Sequence, residues 1–182
     1  QSPDGLSLYM ASNRPGGLGG IDIWVAQRAS TSEPWGSPAN LGEPVNSGAD
    51  DFCPTPVRGG GLLFVSREAL PASCGLADIY FTRRNPVHGW SEPVNLGCSA
   101  NGGPNTALDE MGPSYVEVGD RALLYFSSGP DIYLSERQAD GTFGPGAPVA
   151  ELNSPAIDIQ PNVRKDGREI VMELDRLRGQ GA

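Results

Sequence analysis

The sequence predicts an all-β protein, a β-propeller of four-stranded antiparallel blades, on three observations. One phrase recurs as Asp22-Ile23-Trp24, Asp78-Ile79-Tyr80 and Asp131-Ile132-Tyr133. An aromatic follows each copy: Trp35, Trp90 and Phe143. A closing phrase follows the first two, Pro38-Ala39-Asn40-Leu41-Gly42 and Pro93-Val94-Asn95-Leu96-Gly97, with a decayed third copy, Pro148-Val149-Ala150-Glu151-Leu152-Asn153. Self-similarity at a long fixed period is the signature of a repeat architecture.

Each element of the blade can be justified in turn. Before each Asp-Ile-aromatic lies an apolar run: Leu8-Tyr9-Met10-Ala11-Ser12, Leu62-Leu63-Phe64-Val65-Ser66 and Leu124-Tyr125-Phe126-Ser127-Ser128. Ile170-Val171-Met172-Glu173-Leu174 is a weaker fourth copy. Apolar runs bounded by Gly, Asp and Asn read as strands. A turn signal opens each run, at Asp4-Gly5, Gly59-Gly60-Gly61, Gly119-Asp120 and Asp166-Gly167. These are expected to form two-residue hairpins with both central residues at positive φ. Upstream lie short segments with proline: Cys53-Pro54-Thr55-Pro56-Val57, Gly112-Pro113-Ser114-Tyr115-Val116 and Gln160-Pro161-Asn162-Val163. Proline belongs in a strand only at an edge, a start or a bulge, which suits an innermost strand lining a channel.

Sliding residue 10 onto residue 172 superposes Asp4-Gly5 on Asp166-Gly167 and Asn13-Arg14 on Asp175-Arg176. That shift of 162 positions spans three repeats and gives a mean period of 54, close to a kelch blade. The expected division is a partial blade 1–47, blades 48–106 and 107–155, and a partial blade 156–182. Propellers close with about 4–8 blades. The chain is therefore expected to be an excerpt of a longer protein, about three and a half blades of an incomplete ring, with exposed strand edges if isolated.

The charge is −9 and the pI near 4.5. An acidic balance disfavours nucleic acid, whose phosphates need a basic surface. No apolar run approaches the roughly 20 residues of a membrane span. The 25 Gly and 17 Pro fall at regular intervals between apolar runs, as turns do.

Ser2-Pro3-Asp4-Gly5, then Ser12-Asn13-Arg14-Pro15-Gly16-Gly17-Leu18-Gly19-Gly20, then Asp22-Ile23-Trp24 and the Pro-x-Asn-Leu-Gly tail resemble the Pro-Asp, WD40-like β-propeller repeat. That repeat occurs in TolB-like periplasmic proteins and in outer-membrane-protein-A-associated envelope proteins. The resemblance covers essentially the whole chain and weakens from the first repeat to the fourth. It implies an exported bacterial propeller (periplasmic, cell-surface or secreted) that binds partners without catalysis. The loops at Arg67–Gly75 and Ser127–Gly129 depart from it, lacking the Asn-Arg-Pro-Gly-Gly string.

Candidate chemistry is sparse. Asp22, Asp78 and Asp131 recur in every complete blade and are read as acceptors for N–H groups of the preceding loop. Trp24, Tyr80, Tyr133, Trp35, Trp90 and Phe143 recur too and are read as packing between blades. Arg14, Arg67 and Arg176 are expected to pair with local acids. A phosphate-loop reading of residues 13–20 fails, because the spacing is wrong and no helix follows. His88 stands alone in a loop, with no nucleophile motif or second histidine for zinc.

A second acidic set opens each inner strand: Asp50 and Asp51, Asp109 and Glu110, and Asp158. Carboxylates converging on a channel mouth could bind Ca²⁺ or a ligand, with Asp50, Asp51 and Asp109 as the cation candidates and Asp51, Glu110 and Asp158 as the ligand-binding ones. The alternative is turn capping. Among Cys53, Cys74 and Cys98, pairing of the last two strands about Asn85–Gly89 favours a Cys74–Cys98 bridge, with Cys53–Cys74 second. A bridge would suit an exported protein, and three reduced cysteines in a cytosolic one is the alternative.

Two functions remain in view, beside a third reading as a purely structural spacer within a larger envelope protein. The first is a non-catalytic scaffold presenting loops and an acidic mouth to a protein or cell-envelope glycan. It is favoured because residues repeated in every blade suit scaffolding better than catalysis. The alternative is a glycan-acting enzyme using Asp51, Glu110 and Asp158, since a glycosidase needs two carboxyls about 5–10 Å apart.

Overall fold

The computed structural model describes residues 1–69 and 72–175. Arg176 and the residues after it lie outside that range. The strands are β1 (Ser7–Ser12), β2 (Asp22–Gln27), β3 (Ala39–Asn40), β4 (Asp51–Val57), β5 (Gly61–Ser66), β6 (Asp78–Asn85), β7 (Gly89–Trp90), β8 (Val94–Asn95), β9 (Glu110–Val118), β10 (Arg121–Ser128), β11 (Asp131–Glu136), β12 (Ala147–Pro148), β13 (Asp158–Val163) and β14 (Ile170–Leu174). They form four antiparallel sheets in chain order: β1-β2-β3; β4-β5-β6 with β7 and β8 both on β6; β9-β10-β11-β12; and β13-β14. These are successive blades of a partial β-propeller.

Both faces of the second blade are buried. Strand residues alternate between faces. Leu62, Phe64 and Tyr80 pack with Ile23 and Val45 of the first blade, while Leu63, Val65 and Ile79 pack with Leu124 and Phe126 of the third. β5 is consequently buried at every position, Gly61 to Ser66. Each such Leu or Phe contributes about 1.5–3 kcal/mol on burial. Of the recurrent aromatics, Trp24 and Tyr80 are buried. Trp90 lies edge-on to Tyr9 across the first interface, and Tyr133 stacks on Phe126. Trp35 is only half-buried and carries the Arg28 guanidinium 4.1 Å from its ring centre.

Pro54, Pro113 and Pro161 of the inner strands sit at bulges, whereas Pro56 pairs in register with Leu62. Register slips between Phe52 and Thr55 in β4, at Gly112-Pro113 of β9 opposite Tyr125–Ser127 of β10, and between Ile159 and Asn162 in β13. Before each bulge proline, Cys53, Gly112 and Gln160 adopt φ of 52°, 57° and 55°. Cys53 and Gln160 are side-chain-bearing residues in the left-handed region, a costly conformation that surrounding contacts must maintain. The hairpin turns differ from expectation. Only Gly59-Gly60 has two consecutive positive φ values; the others have one, at Gly5, Gly119 and Gly167. Asp4 and Asp166 instead accept a bond from the N–H two residues on, Leu6 and Arg168. That local bond stabilises the turn without forcing the acid itself to positive φ.

The outer strand of each blade is only a few residues long, and an asparagine completes its ladder. Asn46 accepts the Ile23 N–H at 2.8 Å and donates to the Ile23 carbonyl at 2.9 Å. Asn105 does the same for Ile79 at 2.9 and 3.1 Å, and Asn153 for Ile132 at 2.7 and 3.0 Å. Asn46 and Asn105 also donate to Asn40 and Asn95 at 2.8 Å. Each isoleucine carbonyl also accepts a backbone N–H, from Leu41, Leu96 or Val149, so truncating a clamp strands the buried isoleucine N–H, at about 1–3 kcal/mol. Asn105→Ala is therefore expected to lower the unfolding free energy by about 1–3 kcal/mol, measured by urea denaturation. A loss below about 0.5 kcal/mol, the range of an ordinary surface change, would contradict the clamp.

Candidate functional site

Asp51, Glu110 and Asp158 open β4, β9 and β13 at equivalent positions and are 1%, 0% and 0% exposed. Each lies four residues after a hydroxyl residue. The Ser47 amide and hydroxyl donate to Asp51 Oδ2 at 2.6 and 2.9 Å. The Thr106 and Ser128 hydroxyls donate to Glu110 Oε1 at 2.6 and 2.9 Å, and the Ser154 amide donates to Asp158 Oδ2 at 2.5 Å. The acids' own N–H groups donate across the blade interface, to Ile21, Ala77 and Pro130 carbonyls at 2.7, 2.9 and 2.9 Å. Turn capping thus occupies one carboxyl oxygen. Asp51 Oδ1 and Glu110 Oε2 are buried with no hydrogen-bond partner.

Burial raises the Asp51 carboxyl above the usual carboxylate range, opposed by the Ser66 hydroxyl and Ser47, and the Glu68 charge adds to the rise. Burial likewise raises Glu110, opposed by Thr106 and Ser128, and Asp78 pushes in the same direction as burial. Desolvation disfavours the ionised form, and so does a neighbouring like charge.

Access separates these otherwise equivalent groups. A cleft of about 460 Å³ opens between the first and second blades. Asp51, Ser66, Phe64 and Tyr80 line it from the buried side, and Glu43, Glu68 and Glu92 add three further carboxyls. Among the described residues no Arg, Lys or His lines it, and neither do Glu110 and Asp158.

The remaining acids have local roles. Asp50 accepts the Ile21 N–H at 3.0 Å. Arg67 reaches both Asp50, at 3.9 Å, and Asp109, at 3.0 Å. A guanidinium therefore joins two of the three residues considered for a cation. Among the described residues, no three His, Cys, Asp or Glu side chains converge at metal-binding distances. Asp22 accepts the Leu18 and Gly19 N–H groups at 2.7 and 3.2 Å, and Asp78 accepts that of Cys74 at 2.6 Å. The glycines of the first loop permit this fold-back: a Cβ on Gly17 would lie 1.7 Å from Asp22 Oδ2. Asp131 makes no comparable loop bond among the described residues, because its loop has shrunk to Gly129-Pro130. Arg14 differs from expectation as well. It bonds to the Ser12 hydroxyl at 3.0 Å and lies 5.1 Å over Trp24, with no acid as ion-pair partner among the described residues.

Cys74 and Cys98 form a disulfide with Cα atoms 5.2 Å apart. Cys53 is free, and burial pushes its thiol up. His88 is exposed, its N–H bonded to Asn85. Sequence reasoning missed Glu43, Glu68 and Glu92, which belong to no repeated phrase. It also missed the asparagine clamps, although Asn46-Ser47, Asn105-Thr106 and Asn153-Ser154 each precede an inner-strand acid by the same interval.

No family model and no curated protein matches this chain. Solved structures do. The α-L-arabinofuranosidase from Lactobacillus brevis superposes with a TM-score of 0.59 at 17% identity, over 97% of this chain and 63% of that one. A thermostable family-43 glycoside hydrolase superposes with a TM-score of 0.58 at 14% identity, over 95% and 63%. The propeller fold is thereby shown. The chain spans less than two thirds of the length of either enzyme. This finding corrects the expectation of a non-catalytic scaffold that is not an enzyme: the propellers it superposes on are glycan-cleaving ones. The argument from repetition fails physically, since equivalent acids here differ in access to solvent space.

The raised Glu110 carboxyl has a stability consequence. A carboxyl with a higher pKa folded than unfolded gives the folded state extra protons between the two values, so stability falls as pH rises through that window. Glu110→Gln keeps the shape and removes the charge. Its stability relative to wild type is expected to improve steadily from about pH 4.3, the unperturbed Glu value, towards neutrality. Urea denaturation at several pH values checks this. A pH-independent difference would mean that Glu110 is not held above its unfolded pKa.

Proposed function

We propose that this chain belongs to a glycoside hydrolase whose cleft between the first and second blades holds the bond to be cut. The observation that carries the reading is Asp51 Oδ1. It is a buried, partnerless oxygen beside an open cleft, on a carboxyl whose pKa is raised. Such a group retains a proton that it can deliver to a glycosidic oxygen. Glu68 is exposed in the same cleft and close enough for its charge to bear on Asp51. It serves as the second carboxyl, which activates water or stabilises the developing positive charge on the sugar. Glu43 and Glu92 supply acceptors for sugar hydroxyls, and Tyr80 and Phe64 an aromatic wall.

The structural likeness to an arabinofuranosidase makes arabinofuranosides the first substrates to try. The Cys74–Cys98 bridge supports an exported protein working on envelope or extracellular glycan, since such bridges persist in oxidising compartments. That location agrees with the Pro-Asp repeat resemblance.

The test is hydrolysis of aryl glycosides and arabino-oligosaccharides by the protein carrying this chain. Asp51→Asn is expected to lower kcat by about 10²–10⁴-fold. Glu110→Gln, equivalent in the fold but away from the cleft, should stay within a few-fold. Wild-type turnover by Asp51→Asn would overturn the assignment.

A further inference from the structure

The cavity on the other face of the second blade has the opposite character. It lies between the second and third blades, towards the Val57 end of β4, and holds about 320 Å³. Phe81, Tyr115 and Phe143 give it an aromatic wall, with Tyr115 edge-on to Phe143 at 6.3 Å. Arg58, Arg83 and Arg137 surround it, all exposed. None of the three is in an ion pair among the described residues, whereas Arg67, Arg121 and Arg164 all are. Glu117 is the one acid in the lining among the described residues, and its Oε1 accepts the Tyr115 hydroxyl at 2.9 Å.

We propose that this cavity binds a uronate-bearing saccharide, with the sugar ring against the aromatic wall and its carboxylate held by the arginines. The chemistry selects that class. In a chain of charge −9, three arginines without carboxylate partners around one cavity form a local exception to the prevailing field. Guanidinium groups match a carboxylate through paired, charge-assisted N–H bonds. Arg137 donates its Nε to the Gly141 carbonyl at 3.1 Å, and its guanidinium also bonds to the Tyr115 hydroxyl, which fixes the charge against the aromatic wall. Arg83 lies 5.8 Å from the Phe81 ring centre, so charge and aromatic wall are contiguous. A neutral sugar would leave the arginines without a role, and inorganic phosphate would leave the aromatic wall without one. The choice of a saccharide rests on the glycan-acting reading above; the anionic and aromatic match does not.

The experiment is titration calorimetry of the full protein with trigalacturonic acid and with its methyl ester, which has the same rings without the charge. The acid is expected to bind at least about tenfold more tightly than the ester. Arg83→Gln combined with Arg137→Gln should remove at least about tenfold of the acid's affinity, as loss of charge-assisted bonds implies. Both side chains are exposed, so an unchanged melting temperature is expected to show that the variant is folded. Equal binding of acid and ester, full affinity in the double variant, or no heat at millimolar ligand would overturn the proposal. The readout needs no turnover. A protein that cleaves no glycoside yet binds the acid selectively would sink the hydrolase reading and leave this site standing, and the reverse result would do the opposite.

Discussion

The structure depends on how each blade satisfies the backbone of one isoleucine. Ile23, Ile79 and Ile132 lie on the strand next to the outer one, fully buried, beside an outer strand too short to complete the ladder. An unpaired N–H at that depth would be costly. The side-chain amide of Asn46, Asn105 or Asn153 mimics a strand residue: it accepts that N–H and adds a donor to the carbonyl, which also receives the N–H of Leu41, Leu96 or Val149. The clamp also fixes where the chain leaves the blade. The next residue, Ser47, Thr106 or Ser154, is thereby placed to bond the acid that opens the following inner strand. One side chain thus closes one blade and sets the entry of its neighbour.

That coupling explains why the inner-strand acids are buried and why they are unequal. Capping occupies one carboxyl oxygen and leaves the other dependent on the adjoining blade. At Asp51 the adjoining space is a cleft; Glu110 does not line it. Both faces of the second blade are covered by neighbours, so open space persists only where facing side chains fail to meet. The two cavities occupy opposite faces of that blade and opposite ends of its strands. Carboxyls gather around one and arginines around the other.

Much of the fold was legible in the sequence because repetition compensates for weak local signals. The three Asp-Ile-aromatic phrases, the apolar runs and the inner-strand prolines each recur, and each maps to a strand or bulge. Single turns were less legible. Asp4-Gly5 has the sequence of a two-residue hairpin, yet the aspartate's bond to the Leu6 N–H supplies a different solution. Arg14 and Arg67 look alike in the repeat, but one sits over Trp24 and the other joins Asp50 to Asp109 across a blade boundary. Which neighbour lies within reach is a tertiary matter that the period cannot encode.

The site was legible only in part, for a related reason. Asp51, Glu110 and Asp158 stand out because they recur, and recurrence by itself points to scaffolding. Yet a capped, buried carboxyl is a useful starting point for acid chemistry: its position is fixed by the fold, and its proton is retained by desolvation. The proposed function requires one further departure from symmetry, an open space with a second carboxyl beside it. Glu43, Glu68 and Glu92 bring carboxyls to the cleft beside Asp51, and none belongs to a repeated phrase. On that reading the repeats provide the buried carboxyl, and the non-repeated residues distinguish the copy that faces a cleft.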